Sequence, residues 1–231
     1  MSYHRFYSYI IPDEVRVIFE LGSRDLEDAV RLTDHFTNSK CYSFECNPDC
    51  LRVCRERLNS SDYRDVKKRV TLIEKAVSIT NGPILFRPFD LTKYNNMGAS
   101  SIFEIDFSKR SPSDHDYDRG CVQTELTVDG TRIDTYMDDN NISAVDLLCI
   151  DLQGYELNAL KSMGEKLHTV KHIITECSIE STYTGGANFA ELNKYLEKYD
   201  FKYIASNRFG EATPDMNIKG FSEIDALFQR T

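Results

Sequence analysis

This 231-residue chain has no long run of basic residues, no Cys-x-x-Cys pair, no Gly-x-Gly-x-x-Gly and no apolar stretch of membrane-spanning length. Each absence removes a class of function. Lysine and arginine number 28 against 37 aspartates and glutamates, giving a net charge of −9, and the basic residues are scattered. A nucleic-acid groove needs a positive stripe, and an anionic membrane surface needs a basic patch, so neither partner is expected. With no glycine-rich fingerprint after the first strand, and Arg24-Asp25-Leu26 there to crowd a pyrophosphate, the chain does not read as a dehydrogenase. The seven cysteines are an odd number. Cys46, Cys50 and Cys54 fall four residues apart, but no nearby histidine completes a metal shell. Cys149 and Cys177 lie in apolar runs where a thiol acts as a small hydrophobe, so the set reads as reduced and structural. Residues 1–9 are polar and aromatic, which argues against a signal peptide and makes the cytoplasm the expected location. No internal repeat is visible.

What is present reads as one domain spanning 1–231, with 1–14 as an N-terminal extension; 41% hydrophobic residues suffice for a substantial core. The organising stretch is Val15-Arg16-Val17-Ile18-Phe19-Glu20-Leu21-Gly22-Ser23-Arg24-Asp25. A β-branched apolar run reaches an acid and a glycine, and Leu26, Ala29, Val30, Leu32 and Phe36 then recur at helical spacing. Gly22 permits a sharp turn and a close ligand approach. The unit is strand, turn, helix, the start of a doubly wound sheet whose ligands lie at the strand ends.

Lys40-Cys41-Tyr42-Ser43-Phe44-Glu45 is a second strand ending in an acid, with Pro48 opening a helix over 49–58. An acid at that tip, some twenty residues past the glycine turn, is placed to hold ribose hydroxyls; the plainer alternative is a surface acid beside a turn. Residues 69–74 form a third strand, which 75–78 continue past its tip, and Asn81-Gly82 predicts a hairpin returning through 83–87. Over 88–121 periodicity fades, and so long a connection reads as a lid or substrate loop. Residues 122–128 alternate as an edge strand does. Val145-Asp146-Leu147-Leu148-Cys149-Ile150 is the most apolar strand, and it ends in Asp151-Leu152-Gln153-Gly154-Tyr155-Glu156 ahead of a helix. Residues 170–176 end in Glu176, a helix covers about 187–199, and 201–205 and 224–228 close the sheet. Alternation of strands and helices throughout makes an α/β sandwich with a mostly parallel sheet.

Glu20, Glu45, Asp151 and Glu176, with Glu74 as a fifth, all fall at strand ends. In a parallel sheet those ends share one edge, and like charges brought together there need a cation, a ligand or a shared proton. Glu20-Leu21-Gly22-Ser23-Arg24-Asp25, Glu45-Cys46-Asn47-Pro48, the tract Gly98-Ala99-Ser100-Ser101 and Ile150-Asp151-Leu152-Gln153-Gly154-Tyr155-Glu156 together resemble the FkbM-type methyltransferases over nearly the whole chain. Leu26 stands where that family commonly has a second glycine, and Gln153 where it often has an acid. The resemblance implies a Rossmann-like class I methyltransferase sandwich, with seven strands in the order 3-2-1-4-5-7-6, the last antiparallel, and helices on both faces. It implies S-adenosylmethionine as cofactor, with Glu20, Gly22, Ser23, Arg24 and Asp25 around its methionine half and Glu45 and Asn47 at the ribose. Lys75 and Ala76 flank the adenine, and Ser101 and Asp151 complete the cofactor set.

A sulfonium is a cation, and an acidic cleft suits it better than a phosphate cradle. Asp151 is the candidate base for an acceptor hydroxyl, with Glu176 as its partner. The two together are also a candidate magnesium or manganese site. As alternatives, Asp151 caps the following helix and Glu176 pairs with a lysine. Gln153, Tyr155, Glu156 and the loop residue His115 are assigned to the acceptor side, the alternatives being a Glu156 that bonds only nearby backbone or the loop and a His115 that is merely solvated. The expected activity is O-methyl transfer to a sugar, glycan or small polyol. Its rivals are a module that binds the cofactor without chemistry and an RNA ribose 2′-O-methyltransferase, which the charge disfavours.

Overall fold

A computed structural model of the chain describes residues 3–61, 65–92, 97–106, 123–218 and 223–231. Its strands are β1 (Val17–Leu21), β2 (Lys40–Phe44), β3 (Val70–Ile73), β4 (Ala76–Val77), β5 (Gly82–Phe86), β6 (Leu126–Thr131), β7 (Val145–Ile150), β8 (Val170–Ser178), β9 (Phe201–Ser206) and β10 (Glu223–Arg230). The α-helices are α1 (Glu27–His35), α2 (Pro48–Asn59), α3 (Val66–Arg69), α4 (Ile133–Asp139), α5 (Glu156–Ser162) and α6 (Phe189–Leu196).

The main sheet has seven strands in the order β3-β2-β1-β7-β8-β10-β9. Counting only these strands along the chain gives 3-2-1-4-5-7-6; the higher labels arise because β4, β5 and β6 belong to a second sheet. β10 runs antiparallel to both neighbours, and the remaining pairs are parallel. Central β7 is buried at every position, as a parallel strand covered on both faces should be. Its polar member, Asp146, accepts from the Arg16 and Val17 amides at 2.8 and 3.0 Å and pairs with Lys171 at 2.7 Å, which holds its carboxyl below the usual range despite burial.

Apolar clusters fill both faces of this sheet. One holds Phe19, Leu21 and Phe44 against Ile133, Leu160 and Leu192 of α4, α5 and α6. The other holds Ile18, Cys149 and Ile174 against Leu26, Ala29, Leu32 and Phe36 around α1. Tyr3, Phe6 and Ile10 belong to this second cluster and are 1–3% exposed, so the expected N-terminal extension contributes three residues to the core. Helix ends carry their own punctuation: Asn47 caps α2 ahead of Pro48, and Asn188 with Glu191 forms a capping box on α6.

The small sheet corrects the hairpin read at Asn81-Gly82. β5 does not pair with β4; β6 inserts between them, parallel to β4 and antiparallel to β5. The turn is local, but the pairing is decided by a strand more than forty residues further along. Helix α4 went unread, although its one turn of i, i+4 burial, Ile133 and Met137, is present in the sequence.

The expected lid over 88–121 lies partly outside the described residues, and His115 and Cys121 lie there too. The part that is described is anchored. Ser101 bridges to Arg87, Ile105 bridges to Tyr183, and Phe89, Ala99, Ile105 and Tyr183 form a small apolar cluster. The six described cysteines are all free. Among the described residues no helix is long and apolar enough to cross a membrane.

Candidate active site

The sheet order reverses between β1 and β7, where β1 passes to β2 on one side and β7 to β8 on the other. A crevice at the carboxyl ends of strands is expected there. It is present as a cleft enclosing about 860 Å³, its open mouth included. Gly22, Ser23, Arg24, Glu45, Asn47, Lys75, Ala76, Ser101, Asp151, Gln153 and Tyr155 all line it.

The turn after β1 is strained. Gly22 has φ +92°, Arg24 φ +54° and Leu26 φ +64°. A non-glycine residue in that region costs about 1–2 kcal/mol. Leu26 thus holds a left-handed backbone that glycine adopts more readily, while its side chain is fully buried in the second core cluster. The glycine at position 22 answers a contact within the protein: a Cβ there would stand 1.9 Å from the carbonyl oxygen of Asp151. The missing atom lets the tips of β1 and β7 close together and form the cleft floor.

Glu45, 9% exposed, organises the opposite wall. One carboxylate oxygen accepts from the Cys46 and Asn47 amides, both at 2.8 Å, and the other from the Arg24 amide at 2.8 Å. Burial raises its pKa, and the three amides oppose that rise. A carboxylate offers about four acceptor positions; the described residues fill three, so among them one stays open to a ligand hydroxyl. Asn47 donates to Ser100 Oγ at 3.2 Å and so ties this wall to the 97–106 segment.

Several expected site residues do not line the cleft. Glu20 is 1% exposed on the α1 side of the sheet, where Ser43 hydrogen-bonds its carboxyl. Alternation along β1 sends Phe19 and Leu21 to one face and Ile18 and Glu20 to the other. Asp25 accepts from the Glu27 amide at 3.0 Å and pairs with Arg24 and Arg57, fixing the start of α1. Glu74 pairs with Arg55 on the surface. Glu156 turns back to accept from the Leu152 and Gly154 amides at 2.9 and 3.1 Å, and burial pushes its pKa to about 7. Glu176 is joined to Asp151 through Gln153, whose Nε2 lies 2.8 Å from Asp151 Oδ1 and 3.0 Å from Glu176 Oε2. Burial, then the Asp151 charge, raises the Glu176 pKa well above the carboxylate range. Among the described residues no group of three or more histidines, cysteines, aspartates and glutamates is arranged for a metal ion.

The cleft also holds residues unread from the sequence. Tyr3 and Asp28 enter from the α1 side, Phe86 from β5, Cys46 and Cys50 from the start of α2, and Met97 and Ser100 from the segment above. Of these, Cys46 and Ser100 fall within the motifs Glu45-Cys46-Asn47-Pro48 and Gly98-Ala99-Ser100-Ser101, though neither is assigned a role there.

Among known families, the model described as the methyltransferase FkbM domain matches residues 22–203. The chain belongs to this family. A curated relative, 2-O-methyltransferase NoeI of Sinorhizobium fredii (strain NBRC 101917 / NGR234), is 28% identical over 171 residues. The match covers 73% of this chain and 66% of that protein, so the chain spans just under two thirds of its relative's length. The fold is shared with a methyltransferase FkbM from Methylobacillus flagellatus KT, at TM-score 0.51 and 16% identity over 94% of this chain and 44% of that one. It is shared also with M. capricolum TrmK in complex with S-adenosyl-homocysteine, at TM-score 0.50 and 10% identity over 100% and 68%.

Within this family fold, Glu20 makes a testable stability claim. Burial raises its pKa from 4.5 to about 8. Between those values the folded state holds a proton that the unfolded chain has released, so stability falls as pH rises from about 4.5 to about 8 and is level beyond. Glu20→Gln keeps the shape and removes the titration. Urea unfolding of variant and wild type should coincide near pH 5, with the variant more stable at pH 8.5 by on the order of 2–4 kcal/mol. Parallel pH curves for the two proteins would place the proton uptake elsewhere.

Proposed function

We propose that this chain is an S-adenosylmethionine-dependent O-methyltransferase acting on a hydroxyl of a sugar, glycan or small polyol. The observation that carries the reading is Asp151, set at the tip of β7 in the cleft that Glu45 walls on its other side. The cleft fits the cofactor by its own chemistry. One acceptor position on Glu45 suits a ribose hydroxyl, and Ala76, Val77 and Phe44 supply apolar surface for a planar base. Acids at Asp151 and Asp28, with no phosphate-cradling glycine loop, suit a cation. When bound, S-adenosylmethionine supplies a methyl group activated on a positive sulfur.

The protein's part is positional and protonic. Gly22, Ser23, Arg24, Glu45 and Asn47 hold the cofactor end, with Lys75, Ala76 and Ser101 beside it. Asp151 accepts the proton that the acceptor oxygen loses as its bond to carbon forms. Tyr155 and Gln153 border the same space, and Phe103 packs on Tyr155 with ring centroids 5.0 Å apart. No step is assigned to magnesium or manganese, because the Gln153 amide lies between the two carboxylates that would hold it. A net charge of −9 favours a neutral saccharide over RNA, and the 2-O-methyltransferase relative supports a hydroxyl acceptor. The proposed setting is the cytoplasm.

A tritium-transfer screen of purified protein against glycans, small polyols and RNA tests the acceptor class. Label recovered in a neutral saccharide supports the reading, and label recovered only in RNA rejects it. Cofactor binding has its own check. At a hundredfold excess over Kd, S-adenosylhomocysteine should stabilise the protein by about 2.7 kcal/mol and raise Tm by roughly 5–10 °C. Glu45→Gln should shrink this shift. Glu45→Ala is a poorer probe, since it also strands the Arg24, Cys46 and Asn47 amides and lowers the stability of the apo protein. No shift at millimolar nucleoside with folded protein would reject the cofactor.

A further inference from the structure

The turn that follows β7 is more constrained than the start of a short helix requires. Gln153 has φ +52°, a left-handed conformation that glycine or asparagine adopts far more readily. This backbone sends the side chain between two acids. Its Nε2 donates to Asp151 at 2.8 Å and Glu176 at 3.0 Å, using both amide hydrogens, and its Oε1 lies 2.9 Å from the Tyr183 hydroxyl. Neighbours fix the turn from three directions. Glu156 binds the Leu152 and Gly154 amides, and Ser101 Oγ donates to the Gln153 carbonyl at 2.8 Å. Gly154 lacks a Cβ that would stand 2.7 Å from Cβ of Tyr183, so only glycine lets that tyrosine sit where it meets the amide. Strain at a residue so heavily supported points to a role in the site. Two carboxylates facing one small group is also how hard oxygen ligands hold a divalent cation.

We propose that Gln153 is a positioning residue that takes the place of a divalent cation: its amide clamps Asp151 to Glu176 and fixes the rotamer in which Asp151 meets the acceptor. Methyl transfer then runs without magnesium or manganese. The positioning half rests on the methyl-transfer reading of Asp151, whereas the cation half stands apart from it. A carboxylate at position 153 replaces the donor with a third acceptor, so Gln153→Glu turns the clamp into a cation site.

Manganese titration followed by the EPR signal of the free ion tests the cation half without any acceptor. Gln153→Glu should take up one Mn²⁺ per chain at least tenfold more tightly than wild type, and adding Asp151→Asn should abolish that uptake. Wild type binding Mn²⁺ as tightly as Gln153→Glu, or Gln153→Glu binding none, overturns the proposal. Gln153→Gly tests positioning, because glycine relieves the left-handed backbone while deleting the clamp. With the acceptor found by tritium transfer, its kcat should fall about a hundredfold. KM for S-adenosylmethionine and the S-adenosylhomocysteine melting shift should stay at wild-type values, and chelation should leave wild-type kcat unchanged. Full kcat in Gln153→Gly would reduce the residue to a structural turn, and loss of wild-type activity on chelation would restore the cation. Failure of wild type to bind S-adenosylhomocysteine would sink the cofactor reading instead, and the manganese titration alone would then decide this one.

Discussion

Asp151→Asn is expected to lower methyl transfer by about 10²–10⁴-fold, the range typical of losing a positioned general base. The substitution is close to isosteric. Asparagine keeps an oxygen to accept from Gln153 Nε2, which in the wild type stands 2.8 Å from Asp151 Oδ1, so the turn at 152–156 should survive. The backbone amide and carbonyl of residue 151 hold the β1 and β7 tips together, through the 2.9 Å bond to the Leu21 carbonyl and the contact with Gly22, and both are unchanged. What is lost is the ability to take a proton. S-adenosylhomocysteine should therefore still raise Tm by nearly the wild-type amount, and KM for S-adenosylmethionine should move little beside kcat. Two other results lead elsewhere. A parallel loss of cofactor binding would make Asp151 a cofactor ligand first, and wild-type turnover in the variant would send the acceptor proton directly to water.

The difference between what the chain discloses and what it conceals follows contact range. The run at 145–150, apolar but for Asp146, reads as a central strand, and the acid after it falls at the sheet's edge. Asn47-Pro48 carries its helix start in two adjacent side chains. Those signals are local, and the seven-stranded order with its antiparallel member follows from them once the family resemblance is seen. Glu20 shows how a local signal misleads. An acid two residues before a turn glycine looks like a ligand group, yet the two-residue period of β1 aims it at Ser43 and the α1 face. Period 2 was legible in Ile18 and Phe19 and outweighs mere nearness to the turn. The remainder was non-local. No feature of residues 1–10 reveals that Tyr3 will reach the cleft. The insertion of β6 between β4 and β5 depends on residues 126–131. The meeting of Gln153, Glu176 and Tyr183 joins three separate segments. Even Leu26, which no local pattern marks as left-handed, holds φ +64°, at a cost in strain offset by burying leucine in the core.

Gly22→Ala should be the most damaging single-methyl change near the cleft. The added Cβ would lie 1.9 Å from the Asp151 carbonyl oxygen and 2.9 Å from its carbonyl carbon. These are backbone atoms of the residue directly after the buried central strand, so no side chain can rotate aside to make room. Alanine must also adopt φ +92°, outside even the left-handed region that L-residues tolerate. Overpacking of a tight site costs about 1–3 kcal/mol and a left-handed backbone about 1–2 more, so a loss of roughly 2–5 kcal/mol is expected. In a domain of this size that corresponds to a drop of about 5–15 °C in Tm. The strands can relieve the clash only by parting at the floor of the cleft, between the turn that carries Ser23 and Arg24 and the residue proposed as base. Weakened S-adenosylhomocysteine binding should therefore accompany the lower Tm, measured below the variant's own transition. Gly82→Ala is the control, since its φ is +96° but nothing lies within 4 Å of the added atom. That change should cost only the backbone strain and leave cofactor binding intact. Equal damage from the two substitutions would mean that φ alone matters and that the contact between β1 and β7 does not.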